Sequence, residues 1–251
     1  KKYGTNLQAW ENRRMKSVKE KWKVYYIKFN VIQEEKSILQ QIINLIYPPV
    51  CAFCGKIDEN FLCKECNSKL ERLTDLHIQK YRNKTYTEHI YMFKYTDIRK
   101  EMLEYKFDDK AYYYKTIVQV FLNNKKMCEI LKTYDIIIPV PIHNKRRKER
   151  GYNQSTLIAK EFSKNINGLK YEDILLKKKN TIAQSTLNKE ERLKNAIDMY
   201  KIKENKQDII YNKNVLIFDD IYTTGATANE CAKAIRGTNP SKVGILTIAK
   251  D

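Results

Sequence analysis

Two groups of residues in this sequence have the types and spacing to do chemistry. The first is Asp219-Asp220, followed at once by Ile221-Tyr222-Thr223-Thr224-Gly225-Ala226-Thr227. Adjacent carboxylates repel phosphate but suit sugar hydroxyls, or a divalent cation bridging to them. A loop running into a helix does the reverse: its unpaired N–H groups and the positive end of the helix dipole favour an anion. Thr223, Thr224 and Thr227 add hydroxyl donors, and Gly225 lets the backbone approach closely. Phosphate at one end and a diol at the other describe a ribose 5-phosphate. The plain alternative is a buried strand with a solvated acidic turn. A Walker-type phosphate loop is excluded, because no Gly-Lys-Ser/Thr follows the glycine.

The second group is Cys51-Ala52-Phe53-Cys54 and Cys63-Lys64-Glu65-Cys66, two C-x-x-C knuckles eight residues apart. Four thiolates so spaced close a tetrahedral Zn²⁺ shell with no open position, which makes the site structural. Disulfides or unliganded core cysteines are the alternatives, and a reducing compartment argues against the former. Cys128 and Cys231 read as small core residues.

The elements that must position the first group follow from the pattern around it. Val215-Leu216-Ile217-Phe218 is apolar without alternation, the mark of a strand buried on both faces. After the loop, Ala228, Cys231, Ala232 and Ile235 recur at helical spacing, and Gly237 stands where that helix stops. Asp135-Ile136-Ile137-Ile138-Pro139-Val140-Pro141 is a second buried strand. In an open parallel sheet, ligands gather beyond the carboxyl ends of the strands, so Val140 marks a backbone turn facing pyrophosphate, or else the prolines merely terminate the strand. Lys106 is within reach of a pyrophosphate oxygen or else a surface lysine. The loop over 143–155 holds Arg146, Arg147 and Arg150 among five basic residues and one acid. It reads as a cationic cover for a leaving pyrophosphate, or as a solvated basic patch.

Further strands are expected over 89–95, 174–176 and 243–249. Helices are expected over 37–47, after Thr96 or Asp97, over 110–122 and 152–166, and from Asn188. This divides the chain into a basic extension (1–36), a helix with the zinc finger (37–80) and an α/β domain (86–251).

The 251 residues carry 48 Lys+Arg against 30 Asp+Glu, a net charge of +18. Such a surplus favours polyanions, although a composition rich in Lys, Asn, Ile and Tyr accounts for part of it. Residues 1–30 hold nine basic residues and two acids, interleaved with Trp10, Trp22, Tyr25, Tyr26 and Phe29. That mixture suits stacking on single-stranded nucleic acid, or a helical extension packed on the main domain. No apolar run is long enough to span a membrane, and the expected compartment is the cytoplasm.

The segment around Asp219-Asp220 resembles the phosphoribosyl pyrophosphate (PRPP) motif of type I phosphoribosyltransferases. Taken with the four cysteines, Pro139-Val140-Pro141, Arg150-Gly151-Tyr152-Asn153-Gln154-Ser155 and the run of Thr181, Gln184, Leu187, Arg192 and Asn195, the chain resembles the ComF (ComFC) competence family over about residues 38–251. It departs from the family in its basic head, in lysines at 177–179 where arginine is usual, and in Tyr200 for Phe. The resemblance implies a type I phosphoribosyltransferase-like fold, a central mostly parallel sheet flanked by helices with an N-terminal zinc-finger module. It further implies PRPP bound with Mg²⁺ and a role in natural transformation, with single-stranded DNA and DNA-uptake proteins as partners. Either phosphoribose is transferred to an unidentified acceptor, or the fold serves as a non-catalytic binding factor. A nucleobase salvage enzyme is a third reading.

Overall fold

The computed structural model describes residues 48–58, 60–107, 110–143, 147–148, 151–178 and 199–251. The helices expected over 37–47 and from Asn188 lie outside the described residues, as do the 1–36 extension and the motif over 181–195. Pro49–Asp251 make up one compact unit.

Its frame is a sheet of seven strands in the order β1-β2-β9-β8-β4-β5, with β3 also on β9. The strands are β1 (His77–Lys80), β2 (Glu88–Tyr91), β3 (Phe93–Lys94), β4 (Ile136–Pro139), β5 (Lys170–Tyr171), β8 (Asn214–Tyr222) and β9 (Lys242–Lys250). All neighbours run parallel except β1 against β2. The strand β1 was not assigned from sequence, because His77 to Lys80 is only half covered and lacks an apolar run. A separate antiparallel pair, β6 (Leu175–Lys177) and β7 (Tyr200–Ile202), lies off the sheet.

Both faces of the sheet are covered, and β8 shows why it lacks alternation. Leu216 and Phe218 face one core, with Ile98 and Met102 of α2 (Tyr95–Phe107), Ile117 and Phe121 of α3 (Tyr113–Asn123), and Ile158 and Phe162 of α5 (Gln154–Asn165). Val215 and Ile217 face the other, with Ala228, Cys231, Ala232 and Ile235 of α6 (Ala226–Arg236). Fully burying a Val, Leu, Ile, Phe or Met side chain contributes roughly 1.5–3 kcal/mol. The cysteine knuckles and α1 (Lys64–Glu71) join the first core through Cys51, Cys63, Cys66 and Leu70. A short α4 (Lys125–Leu131) precedes β4.

One difference from the sequence reading bears on the site. The strand does not stop at Phe218 but continues through both aspartates to Tyr222. The reason is β9, whose ladder runs on with Asp219 opposite Thr247, Ile221 opposite Ala249 and Tyr222 opposite Lys250. On the other side β4 ends at Pro139 opposite Phe218. The acid pair therefore stands past the end of β4. There the chain leaves β4 through α5 toward β5, and leaves β8 through α6 toward β9 on the opposite face. This crevice is the topological switch point, where α/β sheets bind ligands.

Candidate functional site

Past Tyr222 the backbone turns sharply at Gly225, whose φ of +79° is the left-handed region that glycine occupies without strain. Gly225 caps α6 and, having no side chain, makes no cap hydrogen bond of its own. The one hydroxyl contact there is Thr224 Oγ1, accepting from the Ala226 N–H at 3.4 Å. Thr223 and Thr224 are exposed. Asp219, Thr223, Gly225 and Thr227 line a single small recess together with Tyr222 and Thr247. The structure thus brings one carboxylate and the hydroxyl loop to one cavity at a helix N-terminus.

The two acids differ. Asp220 accepts from the Ile221 N–H at 2.7 Å and pairs with Lys106 Nζ at 2.8 Å. Asp219 accepts from the Asp220 N–H at 3.0 Å. Burial, and then the neighbouring Asp220 charge, push the Asp219 carboxyl up to about 7, against smaller opposing effects of the Asp220 amide, Lys106 and Lys177. Successive residues of a strand point to opposite faces, so Asp219 lines the recess while Asp220 turns toward Lys106.

The other expected pyrophosphate contacts are distributed differently. Val140 is buried; its N–H donates to the Phe218 carbonyl at 2.9 Å, and its own carbonyl accepts from Asn153 Nδ2 at 3.0 Å. Arg147 lines a second, larger groove beside Pro141, Tyr152 and Lys177. Arg146 and Arg150 lie outside the described residues.

The four knuckle cysteines converge, with all Sγ atoms within 4.8 Å of one another. Cys54 and Cys63 Sγ are 3.6 Å apart. Ligands at about 2.3 Å in a tetrahedron stand about 3.8 Å apart, so the quartet has the dimensions of a Zn²⁺ site. Gly55, at φ +74°, turns the first knuckle back so that its N–H reaches the Cys51 carbonyl at 2.8 Å. Cys63 caps α1 and accepts from the Cys66 N–H at 3.4 Å. The chain's other cysteines, Cys128 and Cys231, lie in α4 and α6, away from this group.

Fold and site together define an α/β protein with an open, mostly parallel sheet and a four-cysteine zinc module. The double zinc ribbon domain family matches residues 42–77. Competence protein F of Haemophilus influenzae is 27% identical over 149 residues, 58% of this chain and 65% of that protein, so the match spans just under two thirds of the relative. Competence protein ComFC of Bacillus subtilis is 27% identical over 192 residues, covering 74% of this chain and 71% of its own. ComFC of Streptococcus pneumoniae is 26% identical over 210 residues, covering 77% and 89%. The chain is a homologue of these ComF and ComFC competence proteins. Solved structures that overlap it include the glutamine PRPP amidotransferase of B. subtilis (16% identity, TM-score 0.35, 58% of this chain and 30% of that one) and a hypoxanthine phosphoribosyltransferase from Staphylococcus aureus (14%, 0.35, 57% and 65%). Those superpositions are loose, and the architecture rests on the strand order and helix placement described above. Among the described residues, no helix is long and apolar enough to cross a membrane.

Proposed function

We propose that the 223–227 turn and Asp219-Asp220 bind PRPP, and that the protein transfers its phosphoribosyl group to an acceptor in the course of DNA uptake. The observation that carries this reading is the shared recess: Asp219 and the Thr223, Gly225 and Thr227 loop line one cavity at the N-terminus of α6. The amides and hydroxyls of the turn hold the 5-phosphate, and Asp219 and Asp220 hold the ribose diol and Mg²⁺. When bound, Mg²⁺ neutralises the pyrophosphate and makes it a better leaving group. Lys106, next to Asp220, supplies a second positive charge on that side. Arg146, Arg147 and Arg150 supply the positive charge of the pyrophosphate end, Arg147 from the neighbouring groove, while the Val140 N–H is already given to the Phe218 carbonyl.

On this reading residues 86–251 carry the donor site and residues 37–80 the structural zinc module. Residues 1–36 serve as a basic arm for single-stranded DNA, in the cytoplasm. The names of the competence relatives support the DNA-uptake role.

The test is thermal stability with PRPP, with and without Mg²⁺. The melting temperature should rise only when both are present, since a ligand that binds the folded state stabilises it by mass action. In Asp219→Asn/Asp220→Asn the rise should vanish; the same rise in that variant defeats the assignment. Pyrophosphate release from PRPP, screened over nucleobases and amines, then separates the transferase from a non-catalytic binding protein. A nucleobase that accelerates release would identify a salvage enzyme.

A further inference from the structure

Tyr222, the last residue of β8, carries its side chain beneath the turn it introduces. A Cβ added to Gly225 would overlap the Tyr222 hydroxyl and come within 2.6 Å of the ring carbon that bears it. The glycine closes onto this tyrosine with no spare room, so the position of the ring sets the position of the turn.

The ring is held from two directions. Its hydroxyl lies 2.7 Å from the Tyr86 hydroxyl and accepts from Lys84 Nζ at 3.0 Å, and Lys84 also donates to Tyr86 at 3.1 Å. The Lys84 ammonium sits 4.0 Å from the centre of the Tyr81 ring, a cation–π contact that holds it in place. Against the face of Tyr222, His89 stacks with ring centres 4.0 Å apart. His89 Nε2 meets Thr247 Oγ1 at 2.8 Å, and Thr247 lines the recess.

The same short segment, residues 84–86 between β1 and β2, also holds α6. Thr85 Oγ1 donates to Asn229 Oδ1 at 2.9 Å, and Arg236 Nε donates to the Thr85 carbonyl at 2.8 Å. Asn229 in turn donates its N–H to the Gly225 carbonyl at 2.9 Å. Residues 84–86 therefore grip the turn from below through Tyr222 and from the helix side through Asn229.

We propose that Lys84, Tyr86 and Tyr222 are positioning residues for the monophosphate end of the ligand, fixing Gly225 and the first amides of α6 where the 5-phosphate is bound. This rests on the PRPP reading above and deepens it. Amides held in advance bind an anion without reorganising, and binding sites tolerate displacements of only about 0.5 Å. Lys84 and Tyr86 act from behind the recess, whereas Tyr222 also forms part of its wall. Their effect falls on one end of the ligand, because the pyrophosphate end is built from other elements.

The experiment measures binding of two separate probes to the full chain by calorimetry: ribose 5-phosphate, and inorganic pyrophosphate with Mg²⁺. Tyr222→Phe and Lys84→Met should each weaken ribose 5-phosphate about tenfold and leave pyrophosphate within about twofold, the scale of one lost hydrogen bond behind a charged contact. Lys84→Arg should restore most of the affinity. Equal loss on both probes, or no loss on either, overturns the proposal. Zinc content and a cooperative melt check folding. If Tyr222→Phe fails that check, Lys84→Met, altered at an exposed position, gives the same comparison. A wild-type chain that binds neither probe removes the donor-site reading and this inference with it. Wild-type binding with unmoved variants removes the inference alone.

Discussion

Lys106 Nζ lies 2.8 Å from Asp220 Oδ2, and both side chains are only 18% exposed. The pair joins the end of α2 to the acid pair across 114 positions of sequence. A pyrophosphate carries more negative charge than a single carboxylate, so it draws the ammonium onto itself when it binds beside Asp220. Lys106→Met should weaken PRPP and pyrophosphate about tenfold, the scale of one charge-assisted hydrogen bond, and leave ribose 5-phosphate unchanged. Unchanged pyrophosphate affinity in calorimetry would make Lys106 no more than the counterion of Asp220.

Asp219 and His89 predict opposite responses to acid. The Asp219 carboxyl, pushed up to about 7, keeps its proton in the fold after an unfolded aspartate, near about 3.9, has lost it. Its contribution to stability is full below that lower value and is lost as pH rises through 7. His89 is held down to about 3 by burial and then by the Lys250 and Lys84 charges, whereas unfolded histidine gains a proton near about 6.5. Its contribution is present above about 6.5 and is lost as pH falls toward 3. Between these limits the two offset each other. Asp219→Asn should therefore lose melting temperature more steeply than wild type from pH 7 to 5. Parallel curves would show that Asp219 is already ionised at neutral pH.

What was legible in the sequence was what local pattern encodes. The apolar run of β8 revealed burial on both faces, small residues at helical spacing revealed α6, and two knuckles revealed the cysteine cluster. Gly225 signalled its own turn, because a left-handed residue leaves a compositional mark. The site's long-range pairings left none. Lys84 and Tyr222 are 138 positions apart, and nothing near either marks the contact. The end of β8 was misplaced for the same reason: two acids read as a turn, while nine residues of β9 held them in a strand. At Val140 the sequence showed a proline-bounded turn but could not show that its N–H is engaged by Phe218.

The excess of charge in the first thirty residues gives a salt-dependent prediction. Nine basic residues against two acids, among six aromatics, would release counterions on meeting single-stranded DNA. Removing residues 1–36 should weaken binding of an oligonucleotide and flatten the slope of log affinity against log salt. Equal affinity and slope in both forms would reject a DNA arm.

Thr116 couples the zinc module to the sheet. It is fully buried in α3; its hydroxyl donates to the Phe61 carbonyl at 2.5 Å and accepts from the Ala52 N–H at 3.3 Å. Both partners belong to the knuckle region, and Cys51, Cys63 and Cys66 share one core with Ile117 and Phe121. Thr116→Val keeps the shape and leaves the amide and carbonyl without a partner, at a cost of about 1–3 kcal/mol. For a chain of this size that lowers the melting temperature by about 2–4 °C per kcal/mol. Because the module and the α3 face form one core, stripping zinc with a chelator should lower the same single transition, not uncover a separate early one. Thr116→Val should also release zinc to a chromogenic chelator faster than wild type. An unchanged melt with unchanged release would show that the module is anchored elsewhere.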